Sequence, residues 1–170
     1  MTRTLPLVLL ACLWLAGCSR SADPLDWRIK AGDPAELDRW FAQNLHLMPP
    51  GISDEVIISF NNLKADTSAN VMGLPVKKEY RVCKRVDGHT VRELLIEGHE
   101  LANRQALAQM ANQSEAVVRL LKGAETVSPE DLKKREALMN AHLAVQGKLE
   151  KQLKEGEARV AALRAGLGPK

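Results

Sequence analysis

Pro75-Val76-Lys77-Lys78-Glu79-Tyr80-Arg81-Val82-Cys83-Lys84-Arg85-Val86-Asp87-Gly88 is the stretch on which the fold class turns. Tyr80, Val82 and Val86 alternate ahead of Asp87-Gly88, a strong two-residue turn signal, which is the pattern of a β-hairpin over residues 76–97. At helical spacing, however, Val76, Tyr80, Cys83 and Val86 share one side, and Lys77, Lys78, Arg81, Lys84 and Arg85 share the other. A strand would set Lys84 between Val82 and Val86 on the apolar face, a conflict the helix does not have. The spacing therefore predicts a helix over 75–86 and an all-α chain, with an α+β fold carrying the 76–97 hairpin as the alternative.

Downstream, Thr90-Val91-Arg92-Glu93 is a capping box that opens a long periodic stretch over 90–122. Leu94, Leu101, Ala108, Ala111, Val118 and Leu121 mark its predicted buried side, Gly98 is its one weak point, and Gly123 ends it. Ser128-Pro129-Glu130-Asp131 then supplies a cap, a first-turn Pro and two acids at the positive end of the dipole, starting a helix over 129–165. Its apolar residues recur every seven positions, at Leu132, Met139, Leu153, Val160 and Leu167, with Leu149 and Leu163 joining and Gln146 interrupting. Arg135 and His142 fall on the same seam, so the pattern is that of an incomplete coiled coil. Helices of about 33 and 37 residues, about 50 and 55 Å long, joined by a short loop must return antiparallel as a long helical hairpin.

Upstream, Asp33-Pro34-Ala35-Glu36 is a helix start, and Leu37, Trp40, Phe41, Leu45 and Met48 give an apolar stripe over 33–48 that Pro49-Pro50-Gly51 ends. Val56, Phe60, Leu63, Thr67 and Val71 keep helical spacing after Ser53, which predicts a helix over 53–71. The expected architecture is one domain, 33–170, of three short helices packed on the long hairpin. Before it, residues 18–32 are polar and carry Pro24 and Gly32, the composition of a tether. Trp27, with Arg28 and Lys30, suits either a lipid interface or docking on the domain.

The composition is that of an ordinary globular protein: 170 residues, 45% hydrophobic, 26% charged, net charge +3. It argues against a disordered chain, a multi-span membrane protein and a nucleic-acid binder.

Residues 1–17 have the three parts of an export signal: Arg3, an apolar run from Leu5 to Leu15 too short to span a bilayer, and the small pair Ala16-Gly17. Leu15-Ala16-Gly17-Cys18 resembles the lipobox of bacterial lipoproteins. The resemblance implies removal of residues 1–17, a diacylglyceryl group on Cys18, and acylation of its new amino group, as by palmitate. Such a chain is held by its lipid on the cell membrane or the outer membrane, facing the periplasm, and Ser19 after the Cys favours the outer membrane in a host that has one. With Cys12 and Cys18 consumed, Cys83 is the thiol left, read as a small apolar residue on a helix face.

Enzyme signals are thin, and no catalytic residue, metal ligand or cofactor is assigned. Cys83 near His89 is the sole nucleophile–base pair worth naming, and an apolar setting for Cys83 disfavours its thiolate. Glu97-Gly98-His99-Glu100 looks metal-like, yet on a helix Glu97 and Glu100 lie on one side while His99 points away. The most informative cluster is basic: Lys77, Lys78, Arg81, Lys84, Arg85 and Arg92 against Glu79 and Asp87, a face suited to anionic headgroups or an acidic partner. The expected role is non-catalytic, a lipid-anchored tether, spacer or assembly subunit that binds an envelope protein through the hairpin, or a copy of itself. A small periplasmic ligand-binding or sensor module is the alternative.

Overall fold

The computed structural model describes residues 23–69, 75–122 and 128–166. The export signal, Cys18, Val71 and Leu167 lie outside these residues, as do the side chains of Val76, Lys77 and Lys78. Among these residues five α-helices follow one another: α1 (Pro34–Asn44), α2 (Pro50–Ala69), α3 (Pro75–Val86), α4 (Val91–Lys122) and α5 (Pro129–Arg164). The fold is all-α, with α4 and α5 forming the long antiparallel hairpin and α1 to α3 gathered at its base.

The starts are set by the chemistry read from the sequence. Asp33 accepts from the Glu36 amide at 2.8 Å and Ser128 from that of Asp131 at 3.2 Å, each ahead of a Pro at the first helical position. Thr90 and Glu93 exchange bonds as a capping box, Thr90 N donating to Glu93 Oε2 at 2.7 Å and Glu93 N to Thr90 Oγ1 at 3.2 Å. Glu36 reaches past the Asp33 amide to the Gly32 amide, at 3.0 Å.

Two boundaries differ from expectation. The first helix gives way at Leu45 to a 3₁₀ turn, Leu45–Leu47. The second begins at Pro50 instead of Ser53, because Pro50 fits the first helical position; Ser53 lies inside the first turn and donates its hydroxyl to Pro50 O.

Residues 87 and 88 do turn the chain, with Gly88 at φ +76°, but they join α3 to α4. No strand pair follows among the described residues, and the α+β alternative with a hairpin at 76–97 is not formed. What pairs with this turn is the segment read as tether. Ile29 N donates to His89 O (2.7 Å), Gly88 N to Ile29 O (2.9 Å) and Val91 N to Trp27 O (2.9 Å), while Arg28 and Thr90 make a single antiparallel bridge. Ala31 N donates to Asp87 Oδ1 and Trp40 Nε1 to Arg28 O, both at 2.8 Å. Leu25, Ile29 and Ala31 are wholly buried. From Asp23 onward the supposed tether is thus part of the domain, because its apolar residues fill the core and its amides find partners there.

The core gathers Leu25, Ile29, Leu37, Trp40, Ile52, Val56, Leu63, Cys83, Val86, Leu94, Leu95 and Leu163. On α3 the buried residues are Val82, Cys83 and Val86, whereas Tyr80 is 44% exposed, so the apolar stripe is turned from the predicted one. Helices α2 and α4 meet where Gly98 faces Ser59: a Cβ at 98 would come within 2.7 Å of Ser59 Cα. The residue read as a weak point is therefore what allows the crossing. Gly156 of α5 faces the end of the Asn103 side chain, which would have to shift to make room for a Cβ there.

Gly98→Ala is expected to destabilise the protein by about 2 to 3 kcal/mol through overpacking. Gly147→Ala, at an exposed helical site with nothing within 4 Å of the added carbon, is expected to stabilise it by up to about 1 kcal/mol. Chemical denaturation of the two variants beside the parent tests the opposite signs.

Candidate functional site

The structure divides the predicted basic face. Arg81 and Lys84 are exposed on α3, and the Lys84 ammonium sits 5.1 Å from the centre of the Tyr80 ring. Arg85 instead turns inward, donating to Glu97 Oε1 at 2.7 Å and to Asp66 Oδ2 at 2.9 Å, and so ties α2, α3 and α4 together. Burial opposes its charge, but Asp66 and Glu97 raise the pKa overall. Arg92 donates to Leu163 O (3.1 Å), Asp23 Oδ2 (3.1 Å) and Asp26 Oδ1 (3.3 Å), joining both hairpin helices to the N-terminal segment. Arg85 and Arg92 are therefore internal ties, since partly buried guanidinium groups are held by the carboxylates brought to them.

The three polar side chains of residues 97–100 go to three different places. Glu97 holds Arg85, and Glu100 pairs with Arg164. His99 faces Glu55 and Arg159, which form their own bidentate pair at 2.7 and 3.0 Å, and its Nε2 is buried without a partner. Cys83 is 2% exposed, beside a cavity of about 90 Å³ lined by Leu37, Asp38, Phe60 and Glu79. Burial, reinforced by Asp33, Asp38 and Glu79, pushes its thiol pKa up, the reverse of what a nucleophile needs. His89 is turned to Glu97, 4.0 Å away.

A larger open groove, about 490 Å³, lies between the N-terminal segment and α1, lined by Asp26, Trp27, Arg28, Lys30, Trp40, Gln43 and Asn44. Trp27 is half-buried and packs against the core, so it docks on the domain.

The feature that sequence reading missed is the outer half of the hairpin. Leu107, Val118, Leu121, Leu132, Leu138, Leu143 and Val145 are 40% to 57% exposed, and among the described residues no side chain between Ala106 and Leu149 is buried. The seam runs through Ala106, Met110, Gln113, Val117 and Leu120 of α4 and Arg135, Met139, His142, Gln146 and Leu149 of α5; His142 meets Gln113, and Arg135 donates to Leu120 O at 3.3 Å. Of the predicted α4 stripe, Leu94 and Leu101 are buried, but Ala108, Ala111, Val118 and Leu121 face solvent, because beyond Ala106 the helix has α5 alone to pack on. The signal was present in the charge spacing: residues 105–114 and 137–147 contain no Asp, Glu, Lys or Arg in a chain that is 26% charged.

No family model, curated protein or solved structure matches the chain.

Two outcomes are expected. First, Cys83 in the folded protein should resist alkylation at pH 8 and react at the rate of a free thiol only after denaturation; rapid labelling of native protein would contradict its burial. Second, burial lowers the pKa of His99, with Glu55 raising it and Arg159 lowering it by smaller amounts. A folded pKa below the unfolded value means that the unfolded chain takes up the proton first. Stability therefore falls as pH drops below about 6.5, and His99→Gln should flatten that loss between pH 7 and 5 in thermal melts.

Proposed function

We propose that the protein is a bacterial lipoprotein, anchored by lipid on Cys18 in the cell envelope and facing the periplasm, that acts as a non-catalytic spacer or assembly subunit. The observation that carries this reading is the hairpin, whose outer half projects beyond the core with apolar side chains exposed. Monomeric soluble proteins rarely leave large contiguous apolar patches bare, and such patches mark interaction surfaces. Among the described residues no helix is long and apolar enough to cross a membrane, so attachment in this reading falls to the lipid and to surface contacts.

The placement of the ends suits the role. Asp23, held by Arg92 at the base of the hairpin, lies five residues from Cys18, so the leash is at most about 17 Å long. Lys122, at the far end of α4, stands about 45 Å from Arg92 along the helix. Two or more acyl chains hold a protein to a bilayer firmly, where one does so marginally. Contact of Arg81 and Lys84, with Lys77 and Lys78, with anionic headgroups belongs to the same reading: α3 ends at the turn to which residues 27–31 are bonded.

The groove beside Trp27 and Trp40 favours the second reading, a small ligand-binding or sensor module. Its openness and mixed lining weigh against it, since small-molecule sites are concave, mostly apolar and bury most of their ligand.

Replacing Cys18 with Ser is expected to abolish acyl labelling and to leave uncleaved or misplaced precursor, as followed by metabolic labelling with a fatty acid and by membrane fractionation. Unchanged membrane retention together with an absent acyl label on the parent protein would refute the anchored reading.

A further inference from the structure

In an antiparallel pair, residues that follow the seam by one position lie on the same flank of both helices. Arg164 and Glu100, which pair at the base, mark that flank, each being one residue past Leu163 and His99. Above this ion pair the flank changes character. On α4 it continues as Leu107, Ala111, Ser114, Val118 and Leu121, at steps of four, three, four and three, all exposed; on α5 it carries Glu136, Asn140, Leu143, Gly147 and Glu150, so that the apolar stripe belongs to α4 and is joined on α5 by Leu143. The contacts of α4 with the rest of the domain, through Val91, Leu94, Leu95, Gly98 and Leu101, leave this flank open.

We propose that this flank is the contact surface for a second copy of the same chain, the two hairpins lying side by side as a four-helix bundle. Three observations select the copy over another partner. A lone pair of helices lacks the core of a bundle, and Ala106 and Leu149 alone are classed as buried along this seam between Ala106 and Leu149 among the described residues. A second hairpin turns the bare stripe into the missing half of that core. The stripe carries no charge that would call for an opposite partner: Leu107, Ala111, Ser114, Val118 and Leu121 are all uncharged. The area also fits. From Arg104 to Lys122 the flank is about 27 Å long and two helices, about 20 Å, wide, so two copies would cover about 1,100 Å², the lower edge of specific interfaces.

A contact of that size associates weakly in dilute solution. The proposal rests on the anchored reading here, because copies held at one height in a membrane present the same flank at the same level and at high effective concentration. The symmetry is then two-fold, each stripe residue meeting its own counterpart.

The test uses the full chain in its own membranes. Ser114→Cys, at the middle of the stripe, is treated with a short bismaleimide, and Gln109→Cys, exposed on the opposite flank, is its control; Cys83 is buried in both. A species of twice the chain mass is expected from Ser114→Cys, at least ten-fold weaker from Gln109→Cys, and lost when Ala111→Glu, an exposed change whose helical fold is checked by circular dichroism, is added. No doubled species, a conjugate with a protein of another mass, or equal yield from Gln109→Cys would overturn the proposal. Acyl labelling on the same samples separates the two readings: acylated chain without the doubled species refutes self-association alone, and unacylated chain that yields it from Ser114→Cys but not from Gln109→Cys, where Cys18 is equally free, refutes the anchor alone.

Discussion

The crossing of α2 and α4 at Ser59 and Gly98 fixes where the core ends. Around it α4 has neighbours on two sides, α2 and the N-terminal segment on one and α5 on the other, and Leu94 and Leu95 before the crossing and Leu101 just after it are buried between them. Beyond Ala106 α4 has one neighbour. A helix with 3.6 residues per turn can bury only part of its circumference against a single partner. The same heptad stepping that makes a core at the base therefore leaves Val118 and Leu121 bare near the tip. Base and tip differ in what surrounds them more than in what their sequences offer.

That difference explains what could be read in advance. The caps at Asp33, Thr90 and Ser128 act over three residues, and a local signal is fully present in a local sequence; helix starts and the all-α class follow from it. Which stripe is covered is a property of the neighbours. Tyr80 belongs to the apolar side of α3 by spacing, yet Val82 takes its place in the core because α1 and α2 lie on that side. The segment from Asp23 to Ala31 has no periodicity to announce it, and its order comes from backbone bonds to a turn about sixty residues later, which no local pattern encodes.

The basic face shows the same limit in electrostatic form. Six cations clustered in sequence say nothing of the acids that folding brings to them. Asp66 and Glu97 reach Arg85 from two other helices, and Asp23 and Asp26 reach Arg92 from the N-terminal segment. Among the described side chains, Arg81 and Lys84 are what stays outside, and with Arg85 and Arg92 turned inward the positive surface is smaller than the linear count suggests. The bare flank of the hairpin, by contrast, was legible as a lack of charge, a signal that a search for reactive groups passes over.

The bonding of residues 27–31 to the turn after α3 also has a mechanical consequence. In a chain held by lipid at Cys18 and loaded at the tip of the hairpin, tension enters the domain at Asp23. It meets first the Arg92 ion pairs and then the bonds of Trp27 and Ile29 to residues 88–91. Leu25 and Ile29, buried in the core, resist withdrawal together with these bonds. In the proposed anchored form, load would thus fall on the N-terminal segment before it reached the helices of the hairpin.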